Sequence, residues 1–240
     1  VDISQKSDAS SRIHKHLASL IVGRQAIFAV AVRVNSIDSV FDPVVWSDDV
    51  VIVIAIVSVG DKPILLRTGF DRNIPIAETI AIHIADAFFI NTGKIHAIGA
   101  GVLLAEIQQT SDITYRVFDF NRRDKDGNLR ELHTSLAVDA IDYEKKDDFK
   151  VEYPKKQDKV NAMVDCPYFK TNFMELSQSM KQDLSDRDSF TIYMCVGGAA
   201  TINNDWGSAS IKKGETVLVS ASSTYVEVDT QGTKLLEVTI

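Results

Sequence analysis

The chain has 240 residues, of which 45% are apolar and 25% charged, a composition typical of a globular protein with a buried core; it excludes disordered and collagen-like classes. With 26 Lys and Arg against 33 Asp and Glu, the formal charge is −7, so neither nucleic acid nor an anionic membrane surface is an expected partner. Only Cys166 and Cys195 are present, which excludes a disulfide scaffold and favours a reduced, cytoplasmic setting.

The first predicted element along the chain is a helix. Ser10 and Ser11 are candidate caps, and Ile13, Leu17 and Leu20 share one face. The pattern then changes to short runs of β-branched and apolar residues, which predict strands. These runs lie at 27–34, 50–59, 80–84, 87–90, 101–105 and 115–120. The longest apolar run, within 50–59, is far shorter than the roughly 20 residues that a membrane-spanning helix needs.

A turn and a second helix follow these strands. Residues 124–128 read Asp-Lys-Asp-Gly-Asn, a composition that predicts a turn. Leu132, Leu136 and Ala140 recur at a spacing of four residues, which predicts an amphipathic helix that ends near Ile141.

The remainder of the chain is predicted to be a connection followed by strands. The segment 143–159 is charged and contains Pro154, so it reads as a linker or an exposed connection. From Phe169 to Ile240 the strand pattern returns, with predicted turns at 197–198, 203–205 and 213–214. The expected division is an N-terminal catalytic domain at 1–142, a connection at 143–168 and a C-terminal domain without a metal site at 169–240.

An internal repeat is the most informative organisational signal. Residues 86–96 and 215–225, which are 129 positions apart, both read as an acidic residue, an apolar strand, a small polar turn and a further strand. This is the rhythm of a jelly-roll barrel, although any two antiparallel hairpins can look alike over a dozen residues. We therefore expect an all-β protein with a few helices, built as two jelly-roll barrels. The inward candidate is His96 in the first copy and Tyr225 in the second, so only the first could bind a metal there.

The residues around His96 carry a specific pattern. A lone histidine is more often structural than a ligand, but four segments here are distinctive: Gly-Lys-Ile-His-Ala-Ile-Gly at 93–99, Glu-Ile-Gln-Gln-Thr-Ser-Asp at 106–112, Tyr-Arg at 115–116 and Arg-Glu-Leu-His at 130–133. From about residue 86 onward the chain resembles the type I mannose-6-phosphate isomerases in their short bacterial form, which are zinc-dependent enzymes of the cupin superfamily. The tail at 210–238 is similar to the C-terminal barrel of that family.

The resemblance implies two cupin barrels and the interconversion of D-mannose 6-phosphate and D-fructose 6-phosphate, with Zn²⁺ as cofactor and His96 as a zinc ligand. Such an isomerase moves a proton through an enediol, which needs a base and an electrophile. Glu106 is a candidate base or a carboxylate supporting the metal site, with a structural role at the strand end as the alternative. Arg116 suits an enediolate or a phosphate, because guanidinium stays charged and binds oxygens in a fork. Lys94 and Arg122 are candidate phosphate contacts.

The first third of the chain matches the family poorly. Family motifs Gln-x-His-Pro-Asp-Asp and Gly-Lys-Thr-Glu-Met-Trp-Tyr align best with 33–38 and 47–52. Arg33 then replaces Gln, Asn35 replaces His and Asp49 replaces Glu, although zinc prefers imidazole, thiolate and carboxylate ligands and Arg offers no lone pair. Two explanations are open: a first barrel that has lost metal binding, or a first segment whose residues differ from those of the gene.

The function classes left open make different predictions. An isomerase with His96, Asn35 and Asp49 as metal ligands predicts bound zinc and turnover of a sugar phosphate. A degenerate, non-catalytic cupin predicts affinity for a sugar or sugar phosphate without metal. A purely structural two-barrel protein predicts neither. The sequence contains no glycine-rich phosphate loop and no nucleophile elbow, so nucleotide-binding and serine-hydrolase functions are not indicated.

Overall fold

The computed structural model describes residues 28–34, 44–46, 52–59, 67–68, 86–97, 102–109, 114–119, 122–144 and 149–240. In these ranges the chain forms seventeen strands and one helix, so it is mostly β. The helix predicted at 10–20 and the strand predicted at 80–84 lie outside the described residues. No helix within these ranges is long and apolar enough to cross a membrane.

The first part of the chain forms two antiparallel sheets. Its elements are β1 (Phe28–Val34), β2 (Val44–Trp46), β3 (Ile52–Val59), β4 (Arg67–Thr68), β5 (Ala87–Ile90), β6 (His96–Ala97), β7 (Val102–Gln109), β8 (Thr114–Arg116), α1 (Thr134–Ala140) and β9 (Lys150–Val151). One sheet has the order β1-β7-β3-β5-β9 and the other the order β4-β6-β2-β8. The strands predicted at 27–34, 50–59 and 87–90 are confirmed, whereas β7 runs four residues beyond the predicted 101–105 and β8 ends before the predicted 120.

The second part of the chain forms one eight-stranded antiparallel sheet. Its strands are β10 (Val160–Asp165), β11 (Lys170–Leu176), β12 (Met180–Asp183), β13 (Thr191–Asn204), β14 (Gly207–Lys212), β15 (Thr216–Val219), β16 (Tyr225–Asp229) and β17 (Thr233–Thr239). The order is β10-β11-β17-β13-β16-β12, and β14 and β15 also pair with β13. The long strand β13 is therefore the centre of this domain.

The two parts repeat one pattern of strand pairing. The neighbours β1-β7-β3-β5 correspond to β11-β17-β13-β15, and both copies carry a bulge at the same place, between Ile56 and Ser58 in β3 and between Cys195 and Gly197 in β13. β5 and β15 have the same length, and the strands after them begin at His96 and Tyr225. The predicted repeat of 86–96 at 215–225 is confirmed at the level of strand bounds.

The main hydrophobic core lies where the two copies meet. Ala105 and Ile107 of β7 pack in one buried cluster with Leu236 and Val238 of β17, which are the equivalent positions of the second copy. Because side chains alternate along a strand, Glu106 and Glu237 face away from this shared core. A second cluster, which includes Tyr193 and Leu235, fills the C-terminal domain itself.

The turn predicted at 197–198 is wrong. Both glycines lie inside β13, at the bulge, where Gly198 has a φ of +70°. A Cβ at Gly198 would lie 2.2 Å from the carbonyl oxygen of Gly232, so the glycine permits a close approach of two backbones and does not end the strand. The turns predicted at 203–205 and 213–214 are confirmed, since they join β13 to β14 and β14 to β15.

The turn at 124–128 is also confirmed. The Oδ1 atom of Asp124 accepts hydrogen bonds from the backbone N–H groups of Asp126 and Asn128, each at 2.9 Å. Gly127 has a φ of +83°. These are the side-chain acceptor and the left-handed residue that make such a composition a turn.

The second helix exists, but its predicted buried face is wrong. Leu132 and Leu136 are 46% and 53% exposed, and the buried residue of α1 is Ala137. The helix packs closely against the sheet through this small side chain, so the leucines lie on the outer side. The segment predicted as a connection also does more than connect, because it contains β9 and β10 and the buried Phe149. The domain boundaries at 142 and 169 stay a prediction.

Candidate functional site

Two of the predicted site residues lie at the same level of one sheet. Val44 of β2 is paired with His96 of β6 on one side and with Arg116 of β8 on the other. Directly opposite residues of antiparallel strands carry their side chains on the same face. Since Cα atoms of such pairs lie about 4.5 to 5.5 Å apart, the Cα atoms of His96 and Arg116 are about 10 Å apart.

His96 is a buried imidazole held in one orientation. The residue is only 4% exposed, and Nδ1 lies 2.9 Å from the carbonyl oxygen of Lys94. A carbonyl oxygen can only accept, so Nδ1 carries the proton and Nε2 carries the lone pair. Burial lowers the pKa of His96, while the hydrogen bond to Lys94 acts in the opposite direction. The neutral ring is thus favoured, in the tautomer that a metal ligand through Nε2 requires.

The turn before His96 is attached to the end of helix α1. Gly93 has a φ of +79°, and its carbonyl oxygen accepts a hydrogen bond of 2.9 Å from the N–H of Asp142. The Lys94 side chain is buried, and its Nζ atom lies 2.6 Å from Oδ2 of Asp142. This ion pair engages the ammonium group that the sequence interpretation assigned to the substrate phosphate.

Arg116 is held by the segment that leads into α1. The N–H of Arg116 donates to Nδ1 of His133 at 3.1 Å, and the N–H of His133 donates to the carbonyl oxygen of Arg116 at 2.7 Å. The guanidinium group donates from Nη1 to the carbonyl oxygen of Glu131 at 3.0 Å. Backbone and side chain of Arg116 are therefore both fixed from the same short segment.

A cluster of two arginines around one carboxylate follows β8. Asp119 is buried, and its oxygens accept from Nε of Arg122 at 3.1 Å and from Nε of Arg130 at 2.7 Å. Burial and the neighbouring Arg130 lower the pKa of Arg122, whereas the hydrogen bond to Asp119 raises that of Arg130. Two guanidinium groups and one carboxylate leave a net positive charge. This is where the structure places Arg122, the other predicted phosphate contact.

Glu106 lies on β7 between two neighbouring strands. It is 9% exposed and is paired with Ala31 of β1 and Ile54 of β3. Neither of these residue types has a polar side-chain atom. A carboxylate at this position receives no hydrogen bond from the side chains of its two cross-strand neighbours.

Glu237 shows what the same position looks like in the second copy. It is fully buried and is paired with Asn172 and Tyr193. Its carboxylate accepts from Nδ2 of Asn172 at 2.7 Å and from the hydroxyl of Tyr193 at 3.0 Å, and Nη1 of Arg187 lies 2.9 Å away. The second copy therefore satisfies its glutamate from its own side chains.

The described residues supply one candidate zinc ligand of the predicted set. Asn35 and Asp49 lie outside the described residues. Among the residues that the structure describes, no group of three His, Cys, Asp or Glu side chains could hold a metal. His96 fits the role, because its Nε2 lone pair is oriented by the Lys94 contact. In the second copy, the ammonium of Lys181 lies 4.3 Å from the ring centroid of Tyr225. The positive charge of Lys181 over this ring disfavours a metal ion beside Tyr225, because like charges repel.

Sequence reasoning missed the residues that hold the site. Glu131 and His133 were part of the distinctive segment 130–133, but each of their contacts with Arg116 involves a backbone group on one side, which no side-chain pattern reveals. Asp142, the partner of Lys94, lies in a stretch predicted to be a helix end. No sequence signal marked it.

Comparisons with known proteins agree with this picture. Residues 159–237 match the family described as mannose-6-phosphate isomerase, cupin domain. The chain is 31% identical over 136 residues to mannose-6-phosphate isomerase ManA of Bacillus subtilis, covering 56% of this chain and 42% of that protein. It is 28% identical over 141 residues to mannose-6-phosphate isomerase of Streptococcus mutans, covering 58% and 44%. The chain thus spans less than half the length of these relatives.

Solved structures show the same fold. The crystal structure of mannose 6-phosphate isomerase from Bacillus subtilis matches with a TM-score of 0.75 at 20% identity, covering 92% of this chain and 77% of that one. A putative mannosephosphate isomerase from Archaeoglobus fulgidus matches with a TM-score of 0.60 at 14% identity, covering 83% and 68%. The resemblance to mannose-6-phosphate isomerases is confirmed, and the C-terminal part contains a cupin domain.

Proposed function

We propose that the chain interconverts D-mannose 6-phosphate and D-fructose 6-phosphate with the help of zinc. The observation that carries this proposal is the row formed by His96, Val44 and Arg116, which sets an oriented imidazole and a fixed cation on one face of a sheet. The similarity to proteins named mannose-6-phosphate isomerase over more than half of the chain supports the choice of reaction. The substrate is then a small sugar phosphate, and the cytoplasm is the setting in which we expect it.

The fold proposed for this activity is a pair of cupin barrels. The support is the repeated pairing order of four strands, with a bulge at the same place in both copies. In this interpretation the first barrel holds the site and the second, with Tyr225 at the position of His96, holds the first in place through their shared core.

His96 would hold the zinc ion through Nε2, and Asn35 and Asp49 are the further ligands that we propose. A bound zinc ion supplies a Lewis acid that polarises the oxygens of the sugar. The protein must keep the His96 ring neutral and in one tautomer; burial favours the neutral ring, and the hydrogen bond from Nδ1 to the carbonyl of Lys94 selects the tautomer.

Proton transfer between the two sugar carbons needs a base, and Glu106 is our candidate. Conversion of the aldose to the ketose moves one hydrogen from C2 to C1 and one hydroxyl proton from O2 to O1, so one group can take the carbon-bound proton from C2 and return it to C1. Glu106 faces away from the shared core, because its neighbours Ala105 and Ile107 on β7 belong to that core and side chains alternate along a strand. Its position on the opposite face supports a role in proton transfer.

Arg116 would stabilise the negative charge that grows on the sugar oxygens as the proton leaves. Its guanidinium group stays charged and is already fixed by the carbonyl oxygen of Glu131, so little reorganisation is needed during the reaction. The cluster of Asp119, Arg122 and Arg130 carries a net positive charge on the same stretch of chain, and we propose that Arg122 contacts the phosphate of the substrate.

The test is turnover of D-mannose 6-phosphate by the zinc-loaded protein, followed by NMR of the sugar phosphates. We expect D-fructose 6-phosphate to appear and Arg116→Ala to lower the rate by about 10² to 10³. Arg123→Ala is the matched control, because Arg123 is exposed and its guanidinium contacts only the turn, at the carbonyl of Gly127. Saturable binding of the sugar phosphate without turnover would instead identify a non-catalytic cupin. No binding and no turnover would leave a structural protein.

A further inference from the structure

We infer that α1 and its two flanks form a brace that fixes the spacing between His96 and Arg116, with Lys94 and His133 as the positioning residues at its two ends. The inference rests on the proposed function in one respect, since it takes His96 and Arg116 as the groups whose spacing matters. It assigns to Lys94 a task other than binding phosphate.

The N-terminal end of the brace holds Arg116. His133 precedes the first residue of α1, and its carbonyl oxygen accepts the first helical hydrogen bond, of 2.8 Å, from Ala137. The same residue exchanges two hydrogen bonds with the backbone of Arg116, through its ring Nδ1 and its own N–H. A shift of the helix start must therefore shift Arg116.

The C-terminal end of the brace holds the turn that orients His96. Asp142 follows α1 by two residues, and it binds the carbonyl of Gly93 through its N–H and the ammonium of Lys94 through its carboxylate. The carbonyl of Lys94 in turn orients the His96 ring. Side chain and backbone of Lys94 thus connect the helix end to the candidate ligand.

At the C-terminal end of the brace, the backbone of Gly93 lies in close contact with the backbone at the end of α1. A Cβ at Gly93 would lie 2.7 Å from the carbonyl oxygen of Ala140 and 2.8 Å from the N of Asp142. Only glycine fits such a contact, and only glycine adopts a φ of +79° without strain. The Gly93 turn is therefore seated directly on the end of α1.

The brace is long enough to span the distance that it would fix. α1 has seven residues and is about 10 Å long at a rise of about 1.5 Å per residue, and His133 and Asp142 extend it at its two ends. The Cα atoms of His96 and Arg116 are about 10 Å apart across β2. The helix also lies against β8 and β2, the strands that carry Arg116 and Val44 of the row. A single rigid element connects the two groups, in addition to the sheet.

The first test is at His133, with the Arg116 amide as a readout that needs no turnover. Asn places its oxygen near the position of Nδ1, whereas Leu has no acceptor. We expect His133→Leu to fold, to speed hydrogen exchange of the Arg116 amide by about tenfold or more, and to lower kcat by about 10- to 100-fold with little change in KM. His133→Asn should restore both values. Asp139→Asn is the control, because Asp139 is an exposed residue of α1.

Two outcomes would overturn the His133 arm: wild-type exchange of the Arg116 amide in His133→Leu, or equal loss of kcat in the Leu and Asn variants. If His133→Leu does not fold, His133→Gln replaces it, since Gln places its oxygen near Nε2 and should fail where Asn succeeds. The wild-type protein could prove inactive while its Arg116 amide is protected from exchange and loses that protection in His133→Leu. This result would reject the proposed function and support the brace.

The second test is at Lys94, with zinc alone as the probe. Lys94→Met removes the ion pair with Asp142 and keeps the length of the side chain, and Asp142→Asn removes it from the other side. We expect each variant to bind zinc about 10- to 100-fold more weakly, as when an outer partner of a metal ligand is lost. Lys125→Met, at an exposed turn position, should bind zinc like the wild type. Unchanged zinc affinity in both Lys94→Met and Asp142→Asn would overturn this arm, whereas a rise only in KM for the sugar phosphate would identify Lys94 as a phosphate contact.

Discussion

Glu106 and Glu237 lie at equivalent positions of the two copies, each paired with two neighbouring strands, but their cross-strand neighbours differ in polarity. Glu106 is paired with Ala31 and Ile54, whereas Glu237 is paired with Asn172 and Tyr193, both of which donate to its carboxylate. The same glutamate position therefore serves two purposes. In the second copy the carboxylate is part of the internal structure, and in the first we propose that it acts on the substrate.

This difference predicts opposite effects of two identical substitutions. Glu106→Gln should lower kcat by about 10² to 10⁴, because an amide cannot accept the proton. Glu237→Gln should destabilise the fold by about 1 to 3 kcal/mol, because it weakens charged hydrogen bonds of a buried group, and should leave kcat within about threefold. Turnover and denaturant unfolding of both variants are the measurements. A large loss of kcat in Glu237→Gln with intact stability would contradict this division.

The pH dependence of the free energy of unfolding at alkaline pH should depend on the buried hydrogen bond between Tyr193 and Glu237. Burial, and next the Glu237 carboxylate, raise the pKa of Tyr193 well above its ordinary value. Above about pH 10 the unfolded chain releases this proton while the folded chain retains it, so the folded state binds more protons and stability falls as pH rises. Tyr193→Phe should make this decline shallower in urea unfolding between about pH 9 and 11. Tyr143→Phe, at an exposed position, is the control, and equal slopes in the wild type and Tyr193→Phe would count against the contact.

The sequence could predict several strands but not their partners. Apolar and β-branched runs located β1, β3 and β5, because the period of side chains along a strand is a local property. The sequence pattern at 197–198 predicts a turn, because glycine is common both in turns and at bulges. Only the close approach of the Gly232 backbone to Gly198 identifies the bulge. Likewise His96 and Arg116 were found from their segments, but their meeting across Val44 depends on long-range pairing that no local pattern contains.

The contact of Gly93 with the helix end predicts an effect on zinc. Gly93→Ala combines an unfavourable φ with a Cβ that would lie 2.7 Å from the carbonyl oxygen of Ala140, so we expect a loss of about 1 to 3 kcal/mol of stability together with weaker zinc binding. Gly127→Ala is the control, because its φ of +83° is similar but nothing lies within 4 Å of the added Cβ. Zinc titration of both folded variants is the measurement. Equal zinc affinities would show that the turn does not support the site.

Arg116→Lys separates two roles of the guanidinium group. If Arg116 stabilises charge that grows in the transition state, the lysine variant should lose far more in kcat than in KM, because only interactions that strengthen in the transition state accelerate the chemical step. Steady-state kinetics with D-mannose 6-phosphate measures both constants. A rise in KM at nearly constant kcat would mean that Arg116 holds the phosphate in the ground state. Wild-type constants would assign it to the structural contact with Glu131 alone.

The most direct test of the whole account is zinc content and turnover of His96→Ala beside the wild type. Because His96 is presented by a turn and a two-residue strand, we expect the variant to stay folded. We predict that the purified wild type binds zinc and converts D-mannose 6-phosphate to D-fructose 6-phosphate, and that folded His96→Ala loses most of the metal and the turnover together. A folded His96→Ala protein that keeps its zinc and its turnover would contradict the account.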